Sequence, residues 1–233
     1  MTVYTNTARF DNTASGVGAL RNNTTGNSNT ASGLNALRSN TTGNSNTASG
    51  VSALDNNTIG SSNTASGAGA LFSNTTGNNN TASGVSALFS NTTGISNTAS
   101  GGNALFNNTT GNGNIAIGNN AGSNLTTGSN NIAIDNSGVA GESDTIRIGG
   151  LQTRAFIAGI RGVTTATAAI PVLIGTDGQL GTVSSSRRVK DNIADMGEAS
   201  STLMKLRPVT FHYKSDQNPK GRSLQYGLVA EEV

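Results

Sequence analysis

The sequence predicts an all-β solenoid of 17-residue coils, followed by a β-rich neck and a small α+β segment. Three observations predict it. The first is an unbroken repeat: Asn-Thr-Ala-Ser-Gly begins at Asn12, Asn29, Asn46, Asn63, Asn80 and Asn97, each copy leading into Ala-Leu and then Asn-Thr-(Thr/Ile)-Gly, always 17 residues apart. The second is composition: 33% hydrophobic and 4% aromatic residues, with 31 glycines in 233 positions, are too few large apolar side chains for a conventional core along the whole chain. The third is charge: 11% charged residues and a formal net charge of +2 do not match the highly charged composition of disordered chains. A fixed period in which no unit buries a core alone belongs to stacked repeats stabilised by their neighbours.

Within a repeat, several glycines mixed with Asn and Thr disfavour a helix. One short strand is expected at Asn-Thr-Ala-Ser, a turn at the next Gly, a second short strand around Ala-Leu, and a return turn at Asn-Thr-Thr-Gly. Successive coils then stack at about 4.8 Å, the ordinary spacing of neighbouring strands. Strand alternation places Thr13 and Ser15 on one face and Ala14 on the other. The copy at Asn114 reads Asn-Ile-Ala-Ile-Gly, so Ile115 and Ile117 take the first face, Ala116 takes the second, and the strand is apolar on both. A coil has only one interior. The second apolar face therefore predicts a covering surface from another subunit.

Leu20, Leu37, Leu54, Leu71, Leu88 and Leu105 are expected to form an internal column, each contributing about 1.5–3 kcal/mol if fully buried. Asn23, Asn40, Asn57, Asn74, Asn91 and Asn108 recur at one position, where stacked amides pair along the axis. Sequons such as Asn40-Thr41-Thr42 follow from this composition and carry little weight. The position after each leucine varies most: Arg21, Arg38, Asp55, Phe72, Phe89 and Phe106 form the candidate contact column, available for packing or for cell-surface glycans.

Several function classes are disfavoured. Between Asn12 and Ile134 the ionisable side chains are Arg21, Arg38 and Asp55, so no basic stripe for nucleic acid runs along the repeats. Calcium-binding rolls need an Asp in each glycine turn, and an ice-binding Thr-x-Ser array is broken by Ile115 and Ile117. No cysteine is present, so disulfides and thiolate metal sites are excluded, and no cofactor or metal is expected. The opening MTVYTNTARF lacks the pattern of a secretory signal, and no apolar run is long enough to cross a bilayer. Val3 and Asn6-Thr7-Ala8 align with the second half of a repeat, so the chain is expected to begin mid-coil.

The repeats with their Asn114-Ile-Ala-Ile-Gly variant resemble the head repeats of trimeric autotransporter adhesins and of bacterial and phage tail-fibre-like proteins, over about half of the chain. The resemblance implies a left-handed parallel β-roll, three copies of which pack around a threefold axis as a homotrimer. No membrane-anchor barrel is recognisable, which favours the tail-fibre-like reading over an autonomous adhesin. Residues 1–130 are then the shaft. Residues 131–184, where Thr145-Ile-Arg-Ile-Gly, Ala155-Phe-Ile-Ala-Gly-Ile and Ile170-Pro-Val-Leu-Ile-Gly alternate, are expected to form a trimeric neck of β-strands.

Residues 185–233 resemble the intramolecular chaperone domain, an auto-cleaving peptidase, found at the C-terminus of phage endosialidase tailspikes and many phage fibres. The likeness rests on Ser185-Ser-Arg-Arg-Val-Lys190, Leu206-Arg-Pro-Val-Thr-Phe-His-Tyr-Lys214 and Tyr226-Gly-Leu-Val-Ala-Glu-Glu-Val233. Ile193, Met196, Leu203 and Leu206 have helix-compatible spacing before Pro208, and Val209, Phe211 and Tyr213 then alternate as a strand. The family's domain continues past the last block, so this copy is expected to be partial.

In that family a Ser and a Lys five residues later cut the chain just before the Ser. The matching residues are Ser185 and Lys190, with scission at Ser184/Ser185. A serine hydroxyl needs a base, and Lys serves once its pKa is depressed by nearby positive charge; Arg187 and Arg188 supply that charge, although Ser186 stands where the family often has Asp. His212 reads as a strand residue. The activity implied is at most a single-turnover self-cleavage, with no external substrate. The resulting expectation is a structural subunit of an extracellular fibre, in a virion tail or a bacterial surface appendage. Its partners would be copies of itself, neighbouring fibre subunits or an attachment protein at the N-terminus. The alternative is a surface adhesin that binds glycans or cells through the repeats.

Overall fold

A computed structural model describes residues 11–157, 172–174, 180–181, 192–194, 197, 206–211 and 225–227. The chain divides into two units, Met1–Phe156 and Ile157–Val233, and each is described by itself.

The first unit is a parallel β-solenoid. Its strands are β1 (Thr13–Ser15), β2 (Thr30–Ser32), β3 (Thr47–Ser49), β4 (Thr64–Ser66), β5 (Thr81–Ser83), β6 (Thr98–Ser100), β7 (Ile115–Ile117), β8 (Ile132–Ile134) and β9 (Ile146–Ile148), one per coil. They form a single sheet in chain order, every pair parallel and, from β1 to β6, with like residues in register, as in Ala31↔Ala48 and Ala48↔Ala65. The central residue of each strand points inward: Ala31, Ala48, Ala65, Ala82, Ala99 and Ala116 are completely buried. The flanking Thr and Ser side chains are exposed.

The leucine column forms as expected, with Leu20, Leu37, Leu54, Leu71, Leu88 and Leu105 all buried. The second strand expected around Ala-Leu does not form. That segment is a turn, and its leucines adopt φ between 50° and 53°, a left-handed conformation that costs an L-residue roughly 1–2 kcal/mol. Burial of the side chain offsets it. The coil-to-coil ladder survives the turn, because Leu37 N–H donates to Ala53 O at 3.0 Å and Leu54 N–H to Ala70 O at 3.0 Å. The turn after each strand requires glycine: Gly33 sits at φ 137°, and a Cβ there would run into the carbonyl of Gly50.

Two asparagine columns close the core. In the expected one, Asn40 Nδ2 donates to Asn23 Oδ1 at 2.7 Å and to Gly43 O at 3.0 Å, and the pattern repeats at Asn57, Asn74, Asn91 and Asn108. The second column begins each strand. Asn46 accepts through Oδ1 from the backbone N–H of Asn63 at 3.0 Å and donates through Nδ2 to Gly60 O at 2.8 Å. Both columns are buried, and each amide is paired up and down the stack, which is how polar side chains fill a thin core without leaving orphaned groups. Asn40, the acceptor of the quoted sequon, is among these buried amides.

The solenoid runs past residue 130, where the neck was expected to begin. Thr145 N–H donates to Asn131 Oδ1 at 3.1 Å, just as Asn131 N–H donates to Asn114 Oδ1 at 3.0 Å. The coil from Asn131 therefore closes in 14 residues instead of 17. Strands β8 and β9 join the same sheet, so Thr145-Ile-Arg-Ile-Gly is solenoid and not a separate strand system. Residues 155–157 are irregular.

In the second unit β10 (Leu173–Ile174), which lies in the expected Ile170–Gly175 stretch, pairs antiparallel with β11 (Leu180–Gly181), which lies beyond it. Strand β12 (Val209–Phe211) pairs antiparallel with β13 (Gln225–Gly227). Val209 and Phe211 are half-buried and Thr210 is exposed, the alternation the sequence predicts. Of the helix expected across Ile193, Met196, Leu203 and Leu206, Ile193 and Leu206 lie in irregular backbone; Met196 and Leu203 fall outside the described residues.

Candidate contact surfaces

The variable column is assembled as the repeat predicts, one residue per coil, but its members interact with one another. Arg38 Nε meets Asp55 Oδ1 at 2.8 Å, with the Asp55 side chain almost entirely buried. Phe72 stacks on Phe89 with ring centroids 5.0 Å apart and planes 5° from parallel. Phe89 stacks on Phe106 at 5.2 Å and 7°. The separation is close to the strand spacing, so the solenoid imposes the stack. Both faces of Phe89 are covered by its neighbours, and the half-buried rings present their edges outward. Arg21, at the N-terminal end of the column, is exposed.

The outer face of the sheet is the larger surface, and it has two chemistries. From β1 to β6 the outward residues are Thr13, Thr30, Thr47, Thr64, Thr81 and Thr98, alternating with Ser15, Ser32, Ser49, Ser66, Ser83 and Ser100. From β7 to β9 they are Ile115 and Ile117, Ile132 and Ile134, Ile146 and Ile148, aligned Ile115↔Ile132↔Ile146 and Ile117↔Ile134↔Ile148. None of these isoleucines is buried; Ile146 and Ile148 are 66% and 73% exposed. The sequence flagged Ile115 and Ile117. Ile132 and Ile134 follow them at the full 17-residue period, in a copy that the sequence shows as the opening of a different segment, and the shortened coil hides the register of Ile146 and Ile148.

The sheet ends on a charged pair. At β9 the inward position taken by Ala133 in β8 is occupied by Arg147. Its Nη2 lies 2.8 Å from Glu142 Oε2, and its Nε donates to the same carboxylate at 2.9 and 3.1 Å. Val139 N–H donates to Glu142 Oε1 at 2.9 Å. Burial by itself pushes the Glu142 carboxyl up, but the Arg147 and Val139 hydrogen bonds and the Arg147 charge outweigh it, leaving the group below its ordinary value. An inward-facing charge at a sheet edge caps the stack and blocks further strand addition.

Ser185 and Lys190, the expected cleavage dyad, lie outside the described residues, as does His212. Among the described residues no group of three or more His, Cys, Asp or Glu side chains converges, and no helix is long and apolar enough to cross a membrane.

Residues 185–233 match a protein family described as the chaperone of endosialidase. The matched region takes in β12 and β13 and spans the positions of Ser185 and Lys190. No curated protein and no solved structure matches the chain.

Proposed function

We propose that this chain is a structural subunit of a trimeric, phage tail-fibre-like appendage, in which residues 185–233 assist assembly and are released by scission before Ser185. The observation that carries the reading is the outer face of β7–β9. Strands β7 and β8 already bury alanine on the solenoid side, and on the other side of β7–β9 Ile115, Ile117, Ile146 and Ile148 are exposed and Ile132 and Ile134 only half-buried within one chain. The endosialidase chaperone match supports three copies as the covering assembly, and the parallel solenoid supports a fibre.

For the release step, Lys190 in its neutral form accepts the proton of the Ser185 hydroxyl. The oxygen attacks the carbonyl carbon of Ser184, Lys190 passes the proton to the departing Ser185 nitrogen as the C–N bond breaks, so the acyl group moves from that nitrogen to the oxygen, and water hydrolyses the resulting ester. The products are a chain ending at Ser184 and a fragment beginning at Ser185. The free energy of assembly is then retained as a kinetically trapped product. Mass spectrometry of the purified chain tests this: a 1–184 species is expected, absent from both Ser185→Ala and Lys190→Ala. Equal processing in all three proteins would remove the dyad.

The adhesin alternative has less support, since glycans stack on aromatic ring faces and those of Phe89 are occupied by Phe72 and Phe106. Glycan binding that is lost in the Phe72→Ala, Phe89→Ala, Phe106→Ala triple variant would restore it.

A further inference from the structure

We infer that copies of this chain are held together at one end of the sheet, by the isoleucine block of β7–β9, while the Thr/Ser face of β1–β6 adds contact area but little affinity. The inference rests on the oligomeric reading above and specifies where its binding energy lies.

Within the strand, the change from Thr/Ser to Ile is confined to the outside. Between β6 and β7 the starting asparagine, the inward alanine and the closing glycine are all kept: Asn97, Ala99 and Gly101 correspond to Asn114, Ala116 and Gly118. Only Thr98 and Ser100 become Ile115 and Ile117. The strand itself does not need the substitution, because Ala31 to Ala99 are buried in the same way beneath Thr and Ser, and the interior change in this coil, Gly122 and Leu125, falls after the strand. It answers to something outside the coil.

The occupant that this face fits is a second copy of itself. All eighteen outward positions of β1–β9 are Thr, Ser or Ile, so identical faces can meet without taking a charge out of water. A charged partner would find nothing there to pair with. Size then decides the division of labour. Six isoleucines in two columns make a patch of a few hundred Å² at most, whereas a stable interface buries about 800 Å² per partner. The block is therefore the centre of the contact and needs a surrounding rim that excludes water. The Thr and Ser side chains of the adjoining strands provide that rim. Their hydroxyls make no hydrogen bond among the described residues, so they hold water in the free chain and gain little by exchanging it for a partner.

The test transplants the repeat's own outer residues onto the block in the full chain, as Ile115→Thr, Ile117→Ser, Ile132→Thr, Ile134→Ser, Ile146→Thr and Ile148→Ser together, with mass measured by sedimentation velocity. The wild type is expected to be oligomeric, and the variant a monomer with an unchanged far-ultraviolet circular dichroism spectrum. A folded variant that stays oligomeric overturns this inference and leaves the oligomeric reading standing; a monomeric wild type removes that reading itself. Should the sixfold variant not fold, Ile134→Cys decides, cleanly because the chain has no other cysteine. Disulfide-linked chains are expected on mild oxidation, and unlinked chains alone overturn the inference.

Discussion

Strands β2–β6 and strands β7 and β8 carry the same alanine inside and opposite chemistry outside. Both faces belong to one parallel sheet and share the asparagine column from Asn29 to Asn131, whereas the column from Asn23 ends at Asn108 and the coil of β8 closes in 14 residues. In this solenoid the interior sets the coil and the exterior can be rewritten without disturbing it. Inside the coil of β7 two positions change together: the leucine position is taken by Gly122 and the column asparagine by Leu125. A Cβ on Gly122 would press on Leu105 and lie 3.3 Å from Leu125 Cδ1, so Leu125 fills the volume from one position further along. Asn108, which loses its partner in the next coil, accepts instead from Asn114 Nδ2 at 3.2 Å.

The most damaging way to probe that equivalence is to charge the interior in either region. Leu71→Asp and Leu125→Asp each place a carboxylate in a fully buried site and should each cost at least about 3 kcal/mol. Urea denaturation should show comparable losses for the two, and a much smaller loss for Leu125→Asp would mean that the last coils are held differently. Asn57→Leu is milder. It orphans Asn40 Oδ1 and one Nδ2 hydrogen of Asn74, at about 1–3 kcal/mol per group. Adding Leu54→Gly copies the arrangement at Gly122 and Leu125, and recovery should be only partial. Asn74 still needs a partner above it, whereas no column asparagine follows Leu125.

Much of this was legible in the sequence, because ladders require identical residues at identical spacing. The inward alanines, the leucine column and the Asn23–Asn108 column all follow from the 17-residue register. Ala-Leu was misread as a strand because an apolar pair carries no sign of backbone hand; only the positive φ of Leu37 and its equivalents shows that burial overrides the cost of the left-handed turn. The second asparagine column, Asn29 to Asn131, looked like the first residue of a strand. Its side chains turn out to be saturated by backbone groups, Gly43 O for Asn29 at 2.8 Å, which no sequence spacing displays. Ile146 and Ile148 were obscured when one coil shortened. The variable column was read as a contact surface one residue at a time, whereas 17-residue stacking makes each member the neighbour of the next.

That neighbour effect gives the next prediction. Phe89→Ala removes two stacking contacts and a half-buried ring from the Thr/Ser-faced region, and should cost about 1–2 kcal/mol. Phe72→Ala and Phe106→Ala each remove one of the two stacks and should cost less. Thermal melts of the three variants check the order. Equal losses would mean that each ring is held by its own coil and not by the stack.

The smallest effect belongs to the cap that ends the Ile-faced region. Glu142 sits below its ordinary carboxyl value when folded, so its contribution is fully present above the unfolded value of about 4.5 and disappears as pH falls through the lower, folded one. Arg147 is raised by the same contact and stays charged throughout. The guanidinium is substantially exposed, so solvent screening holds the pair to less than about 1 kcal/mol. Acidification should therefore fray the last coil without unfolding the rest. Hydrogen exchange at the Ile132 and Gly149 amides, which donate to Thr145 O and Ile134 O, should accelerate relative to the Leu54 and Leu71 amides as pH falls below the unfolded carboxyl value, once intrinsic rates are corrected. Glu142→Gln should abolish that relative change, since it leaves nothing to titrate at the cap; an unchanged pH response in the variant would place the acid-sensitive contact elsewhere in the coil.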